Sequence, residues 1–185
     1  MSRAADFTKT ALLSLLSGAA IMLVLASPGG ARKLLKAAGY ELRRREQRQR
    51  FFWTLAYLRR KQYIDYREEK DGTISVVLTE DGKKRALRYK FDALVLPKTA
   101  HWDRKWRILM FDIPVRFKKA REAFRYKIKD LGLAQYQKSV WIYPYPCLDE
   151  VAFTAKFFGV AKYVHFVEAE SISGEIEYKE IFDLL

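Results

Sequence analysis

Between Lys9 and Arg32 the chain carries no charged side chain, and this stretch constrains the fold more than any other. An apolar run must be covered by protein or by lipid, because each Å² left in water forgoes about 25 cal/mol. From Ala11 to Ala26 the run is apolar apart from Ser14, Ser17 and Gly18, and Ser27-Pro28-Gly29-Gly30 follows it. Read as a helix, it spans about 24 Å at roughly 1.5 Å per residue, short of a hydrocarbon layer of roughly 30 Å, and the Pro-Gly-Gly break stops it. The favoured expectation is therefore a buried first helix covering the apolar faces of the helices after it. Two alternatives stay open: membrane association through residues 11–26, and a secretory signal, since Arg3 and Lys9 precede the run and the small residues Ala26 and Ser27 end it.

A length of 185 residues, half of them apolar and 15% aromatic, suits two domains with modest cores and excludes extended low-complexity disorder. The polar stretch Lys98 to Asp103, just after Pro97, places a hinge between residues 1–97 and 98–185. Charge divides at the same place. Of the net +13, residues 1–100 hold 21 cations against 10 acids and the remainder 14 against 12. A basic half points to a polyanion or an anionic membrane surface, because neutralising phosphates releases condensed counterions; its alternative is a solvated cationic face. Cys147 is the single cysteine, which rules out an intrachain disulfide or a thiolate metal cluster within one chain and fits a reducing, cytoplasmic compartment. Neither His101 nor His165 lies beside a serine or cysteine in a recognisable elbow, so nucleophilic triads and histidine-rich metal sites find no support.

After the break, Leu34, Leu35 and Ala38 repeat at helical spacing, with Arg32, Lys33 and Lys36 opposite and Gly39 as terminator. A longer helix is predicted over residues 41–62. Its apolar side holds Phe51, Phe52, Leu55 and Leu58; its charged side holds Arg43, Arg44, Arg45, Arg48, Arg50, Arg59, Arg60 and Lys61. Residues 63–67 and 73–78 are β-rich runs around Asp71-Gly72, a hairpin. Thr79 then stands in N-cap position before a further helix. Three helices, a hairpin and a helix form a winged helix-turn-helix arrangement, in which one helix can enter the major groove of double-stranded DNA while flanking cations hold phosphates. The eight cationic residues named above are the candidate DNA contacts.

The second half begins with a buried strand from Trp106 to Pro114 bearing Asp112 near its end. An amphipathic helix follows over 116–131, its core side made of Ala120, Phe124, Ile128 and Leu131 and closed by Gly132. Strands at 133–136 and 139–143, a helix at 149–158 and a strand at 163–167 complete a βαββαβ string. Such a string packs two helices on one face of an antiparallel sheet, a ferredoxin-like fold whose other face is free for a partner, so a homodimer through this domain is expected. The whole chain is thus predicted to be α+β.

Several of these residues carry a resemblance. Trp102-Asp103-x-Lys105-Trp106-Arg107, Phe111-Asp112-Ile113-Pro114, Leu131-Gly132-Leu133, Gln137-x-Ser139-Val140-Trp141 and Pro144-Tyr145-x-Cys147 resemble the central domain of PaaX-like transcriptional repressors, itself similar to the small CRISPR adaptation endoribonuclease. Ser27-Pro28-x-Gly30, Asp71-Gly72-Thr73 and Leu78-Thr79-x-x-Gly82-Lys83-Lys84 resemble the winged-helix region of the same repressors. The resemblance implies a DNA-binding repressor. Such repressors usually continue into a further carboxy-terminal domain, where this chain ends at Leu185, and phenylacetyl-coenzyme A recognition is carried over onto no residue here.

In the endoribonuclease family, an acid at the end of the first strand pairs with its dimer mate around a divalent metal, and the matching residue is Asp112. That makes Asp112 the candidate catalytic and metal-binding residue of an alternative reading, a Mg²⁺-dependent nuclease. The competing account has Asp112 capping the next helix, favoured by the positive end of its dipole. Asp103, Glu122 and Asp130 are expected to pair with their neighbours Arg104, Arg121 and Lys129. Trp102, Trp106, Trp141, Tyr143 and Tyr145 either stack on exposed bases or fill the core. The regulator reading needs no cofactor.

Overall fold

The computed structural model describes residues 3–17, 21–23, 45–68, 74–99 and 101–184, and within these the side chains of 8–17, 52–67, 75–99 and 101–184. The chain forms two compact units, Met1–Asp92 and Ala93–Leu185.

In the first unit, helix α1 runs Arg3–Leu16 and strand β1 Ile21–Leu23. The apolar run is therefore not one helix over 11–26: it supplies the last turns of a helix and then a strand. The physical reason lies in its composition. Ser17 and Gly18 are poor helix formers, and Ile21-Met22-Leu23 can satisfy its backbone by pairing with another strand. Among the described residues no helix is long and apolar enough to cross a membrane. The predicted helix over 31–38, the Pro-Gly-Gly break and the Asp71-Gly72 turn lie outside the described residues.

Helix α2 is Arg45–Arg60, followed by β2 Ile64–Glu68, β3 Ile74–Leu78 and α3 Glu80–Asp92. β3 is the central strand, antiparallel to β1 on one side and β2 on the other. Ala11 and Leu12 of α1 bury themselves with Leu55, Leu58, Ile64, Val76 and Ala86. Phe52, expected in this core, is 45% exposed: it lies about 60° around the helix from Leu55, at the rim of the buried face.

Local chemistry sets the boundaries. Thr79 Oγ1 accepts the Gly82 N–H at 3.0 Å, an N-cap bond to the third helical residue, and donates to the Gln62 carbonyl at 2.5 Å. A Cβ at Gly82 would fall 1.8 Å from the Tyr63 carbonyl oxygen, so the close approach of α3 to the start of β2 demands glycine there. At the end of α2 the Tyr63 N–H returns to the Leu58 carbonyl at 2.9 Å, with Gln62 in the left-handed region at φ 57°, a helix stop usually made by glycine.

The second unit is a four-stranded antiparallel sheet in the order β5-β6-β4-β7. Its elements are β4 Trp106–Phe111, a 3₁₀ turn Val115–Phe117, α4 Lys118–Asp130, β5 Ala134–Gln137, β6 Val140–Tyr143, α5 Leu148–Phe157, β7 Val164–Ala169 and α6 Glu175–Ile181. This is βαββαβ with the ferredoxin-like strand order and one added helix. Leu109, Phe111, Trp141 and Tyr143 project from one face of the sheet into a core with Phe124 and Ile128 of α4 and Val151 and Ala155 of α5. Gly132, at φ 97°, ends α4 as expected, and the Leu133 N–H closes the turn on the Ile128 carbonyl at 3.2 Å.

The opposite face is not wholly free, contrary to the βαββαβ reading. Trp106 Nε1 donates to Glu175 Oε1 of α6 at 2.9 Å, and the rings of Tyr136 and Tyr178 lie 5.5 Å apart. Helix α6 arises from Glu175-Ile176-Glu177-Tyr178, a stretch too short for a periodic apolar signal, and it is ordered by these aromatic contacts. Trp106 is fully buried as a result, and Trp141, Tyr143 and Tyr145 are also buried. These aromatics are core, which removes base stacking as their role.

Candidate nucleic-acid interface

Of the eight predicted DNA contacts, Arg43 and Arg44 lie outside the described residues. Arg45, Arg48 and Arg50 fall on α2, but their side chains are not among those described. Arg59, Arg60 and Lys61 are exposed at the carboxy-terminal end of α2, where the negative end of the helix dipole favours cations. The Arg59 guanidinium lies 4.7 Å from the Tyr66 ring centroid of β2, and Arg60 lies 5.9 Å from that of Tyr57. Stacking of this kind orients the guanidinium without neutralising it.

Helix α3 provides the contrast. Lys83, Lys84 and Arg88 each meet an acid, Glu80 at 2.7 Å, Asp81 at 3.2 Å and Asp92 at 3.2 Å, and the Lys83 ammonium holds the Glu80 carboxyl below its usual value. Arg59, Arg60 and Lys61 have no ion pair among the described residues. α3 thus pairs Lys83, Lys84 and Arg88 within the helix, whereas Arg59, Arg60 and Lys61 at the end of α2, and Arg85 of α3 with its guanidinium 4.6 Å from the Tyr89 ring centroid, remain available to a polyanion. Trp53, 77% exposed, stands on α2 about 160° from Leu55. An exposed tryptophan nearly two turns before the cationic end is a feature that apolar periodicity could not separate from core.

Asp112 sits where the sequence placed it, just past the end of β4, exposed between the buried Phe111 and Ile113. Its N–H donates to the Tyr163 carbonyl at 3.1 Å. It does not cap a helix: Pro114 and Phe117 occupy the N-cap positions of the 3₁₀ turn and of α4, neither with a side-chain cap bond. Among the described residues no group of three or more His, Cys, Asp or Glu could hold a metal ion.

The other acids find different partners from those expected. Glu122 lies 3.9 Å from Lys118 and Asp130 3.4 Å from Lys127, following helical rather than sequential neighbourhood. Asp103 grips Arg107 through two bonds of 2.6 Å, and the same guanidinium donates to the carbonyls of Lys105 and Pro144 at 2.9 Å each. Arg107 is 4% exposed. The Arg107 bond draws the Asp103 carboxyl from 3.8 down to about 2. Trp102 Nε1 donates to the Lys105 carbonyl at 3.1 Å, with its ring 5.0 Å from Trp106. The Trp-Asp-x-Lys-Trp-Arg motif is thus a clamp that fixes the start of β4. Cys147 is likewise inert: burial pushes its thiol up to about 12.

No curated protein matches the chain. Residues 99–181 match the family model described as the PaaX protein central Cas2-like domain, a stretch that takes in the Trp102–Arg107 clamp, the whole four-stranded sheet and α6. The second unit is therefore similar to the PaaX central Cas2-like domain, and the chain is consistent with a PaaX-like family.

Proposed function

We propose that the protein is a PaaX-like transcriptional regulator of the cytoplasm that binds double-stranded DNA through its first unit, as a winged helix, and acts as a repressor in a homodimer joined through the second. The observation that carries this reading is the unneutralised cationic end of α2. Arg59, Arg60 and Lys61 are exposed immediately before a β-hairpin, while Leu55 and Leu58 on the other side of the helix are locked in the core. Helix α1, β1, α2 and the β2–β3 hairpin, with β3 central, support the winged-helix reading as far as the described residues go, an arrangement that would set α2 in the major groove and the hairpin against the backbone.

The test is salt dependence. Duplex affinity should fall steeply between roughly 50 and 200 mM salt, and charge reversal at Arg44, Arg48 and Arg60 should flatten the slope of log K against log salt by about 2.7, at about 0.9 per phosphate contact. A salt-independent affinity overturns the reading.

A second reading, a Mg²⁺-dependent nuclease, is favoured by the exposed Asp112 at the end of the first strand of a Cas2-like domain. It requires a second carboxylate from a partner chain. Equal cleavage of RNA and DNA by the native protein and Asp112→Ala would dismiss it. The binding reading is preferred because it rests on several exposed cations rather than on one acid per chain.

A further inference from the structure

The second unit is nearly neutral in sum, but its charge is sharply divided. Residues 115–130 contain seven cations and two acids, while 168–183 contain six acids and one cation. Within the basic stretch, Lys118, Arg121, Arg125 and Lys129 recur at i, i+3, i+7 and i+11. That spacing aligns them along one flank of α4, beside the buried face of Phe124 and Ile128, in a row about 16 Å long. Lys118 has one distant partner, Glu122 at 3.9 Å; Arg121, Arg125 and Lys129 have no ion pair among the described residues. The two arginines are half-buried, and each buries its Nε without a hydrogen-bond partner. Packing therefore holds the base of each guanidinium, so ordering it on a ligand costs less entropy than fixing a free surface arginine.

We infer that this row is a second phosphate-binding track, which holds the backbone of the same duplex that the first unit engages. The inference rests on the DNA-binding reading above and adds to it a surface on the Cas2-like domain. Four cations at steps of about 5–6 Å match a run of phosphates along one strand, and the contacts are to backbone, so they add affinity and footprint without sequence preference. A second copy presenting its acidic 168–183 segment is the competing occupant. Phosphate is favoured because Glu168 and Glu175 of that segment already pair with Lys105, Arg107 and Lys179 of their own chain, whereas a duplex offers an uninterrupted run of phosphates.

The experiment measures duplex binding by the full chain at several salt concentrations for K118Q/R121Q/R125Q/K129Q, with sedimentation of the same samples. The expected result is a slope shallower by about 3.6, so that the affinity lost between roughly 50 and 200 mM salt shrinks by about a hundredfold. R121K/R125K, which keeps the charge, should keep the native slope, and this separates lost contacts from lost fold. An unchanged slope in the quadruple variant, while the Arg44, Arg48 and Arg60 reversals still flatten theirs, overturns the track and leaves the first unit's role standing. An unchanged slope with a smaller sedimenting species overturns it in favour of self-association. If the native protein shows no salt-dependent duplex binding, both readings fall together.

Discussion

The two units solve opposite problems. The first gathers cations on its surface over a core cluster of modest aliphatic groups, among them Leu12, Leu55, Leu58 and Ile64. The second buries Trp106, Phe124, Trp141, Tyr143 and Tyr145 and even takes a guanidinium, Arg107, almost fully out of water. A buried aromatic contributes more apolar area than a leucine, and a buried cation persists only when paired and hydrogen-bonded. The difference teaches that stability and charge are apportioned separately. The second unit is a well-packed platform, and the first carries like charges whose mutual repulsion works against its own stability.

The largest expected effect tests whether that division is real. Phe124→Ala should cost the second unit about 3–5 kcal/mol, and Leu58→Ala should cost the first a comparable amount. In calorimetry each substitution should lower one transition and leave the other in place; a single transition moved by both would break the comparison. Next in size, Arg107→Met should destabilise the second unit by about 2–4 kcal/mol, read by denaturant unfolding, because it strands the Pro144 and Lys105 carbonyls and half-exposed Asp103. A neutral outcome would mean that the buried cation is dispensable to the platform.

Smaller effects sharpen the picture. Thr79→Ala removes both the cap of α3 and the bond to the Gln62 carbonyl, and should cost the first unit about 1–2 kcal/mol in thermal unfolding. The smallest concerns pH. The folded Asp103 carboxyl lies below its ordinary value, at about 2 against 3.8, so its contribution is fully present above about pH 4 and is lost as pH falls toward 2. Acid titration of the second unit should show this loss, and Asp103→Asn should remove that part of the pH dependence while lowering stability at neutral pH.

Much of the second unit was legible in the chain. Alternating Phe111-Asp112-Ile113, the helical repeat of Ala120, Phe124 and Ile128, and Gly132 as terminator all reflect local rules of period and backbone freedom. Helix α6 was not legible, because its order comes from Trp106 and Tyr136, far away in sequence. The cationic candidates were readable by composition, yet which cations remain unneutralised was not: Lys83, Lys84 and Arg88 pair within α3, whereas Arg59, Arg60 and Lys61 have no ion pair among the described residues. The row on α4 is hidden for a related reason, since the charge summed over the whole second half masks a basic helix behind an acidic tail.

By itself, then, the sequence determined the α+β class, the βαββαβ order, the cap at Thr79 and the excess of positive charge, all of which follow from residue types at short spacing. Tertiary structure alone decided that the apolar run splits into a helix and a strand, that Asp103 clamps Arg107, and that Asp112 stays exposed without capping a helix. Each of these depends on a partner brought close by folding, and neither burial nor pairing can be read from one stretch of chain before the rest has closed around it.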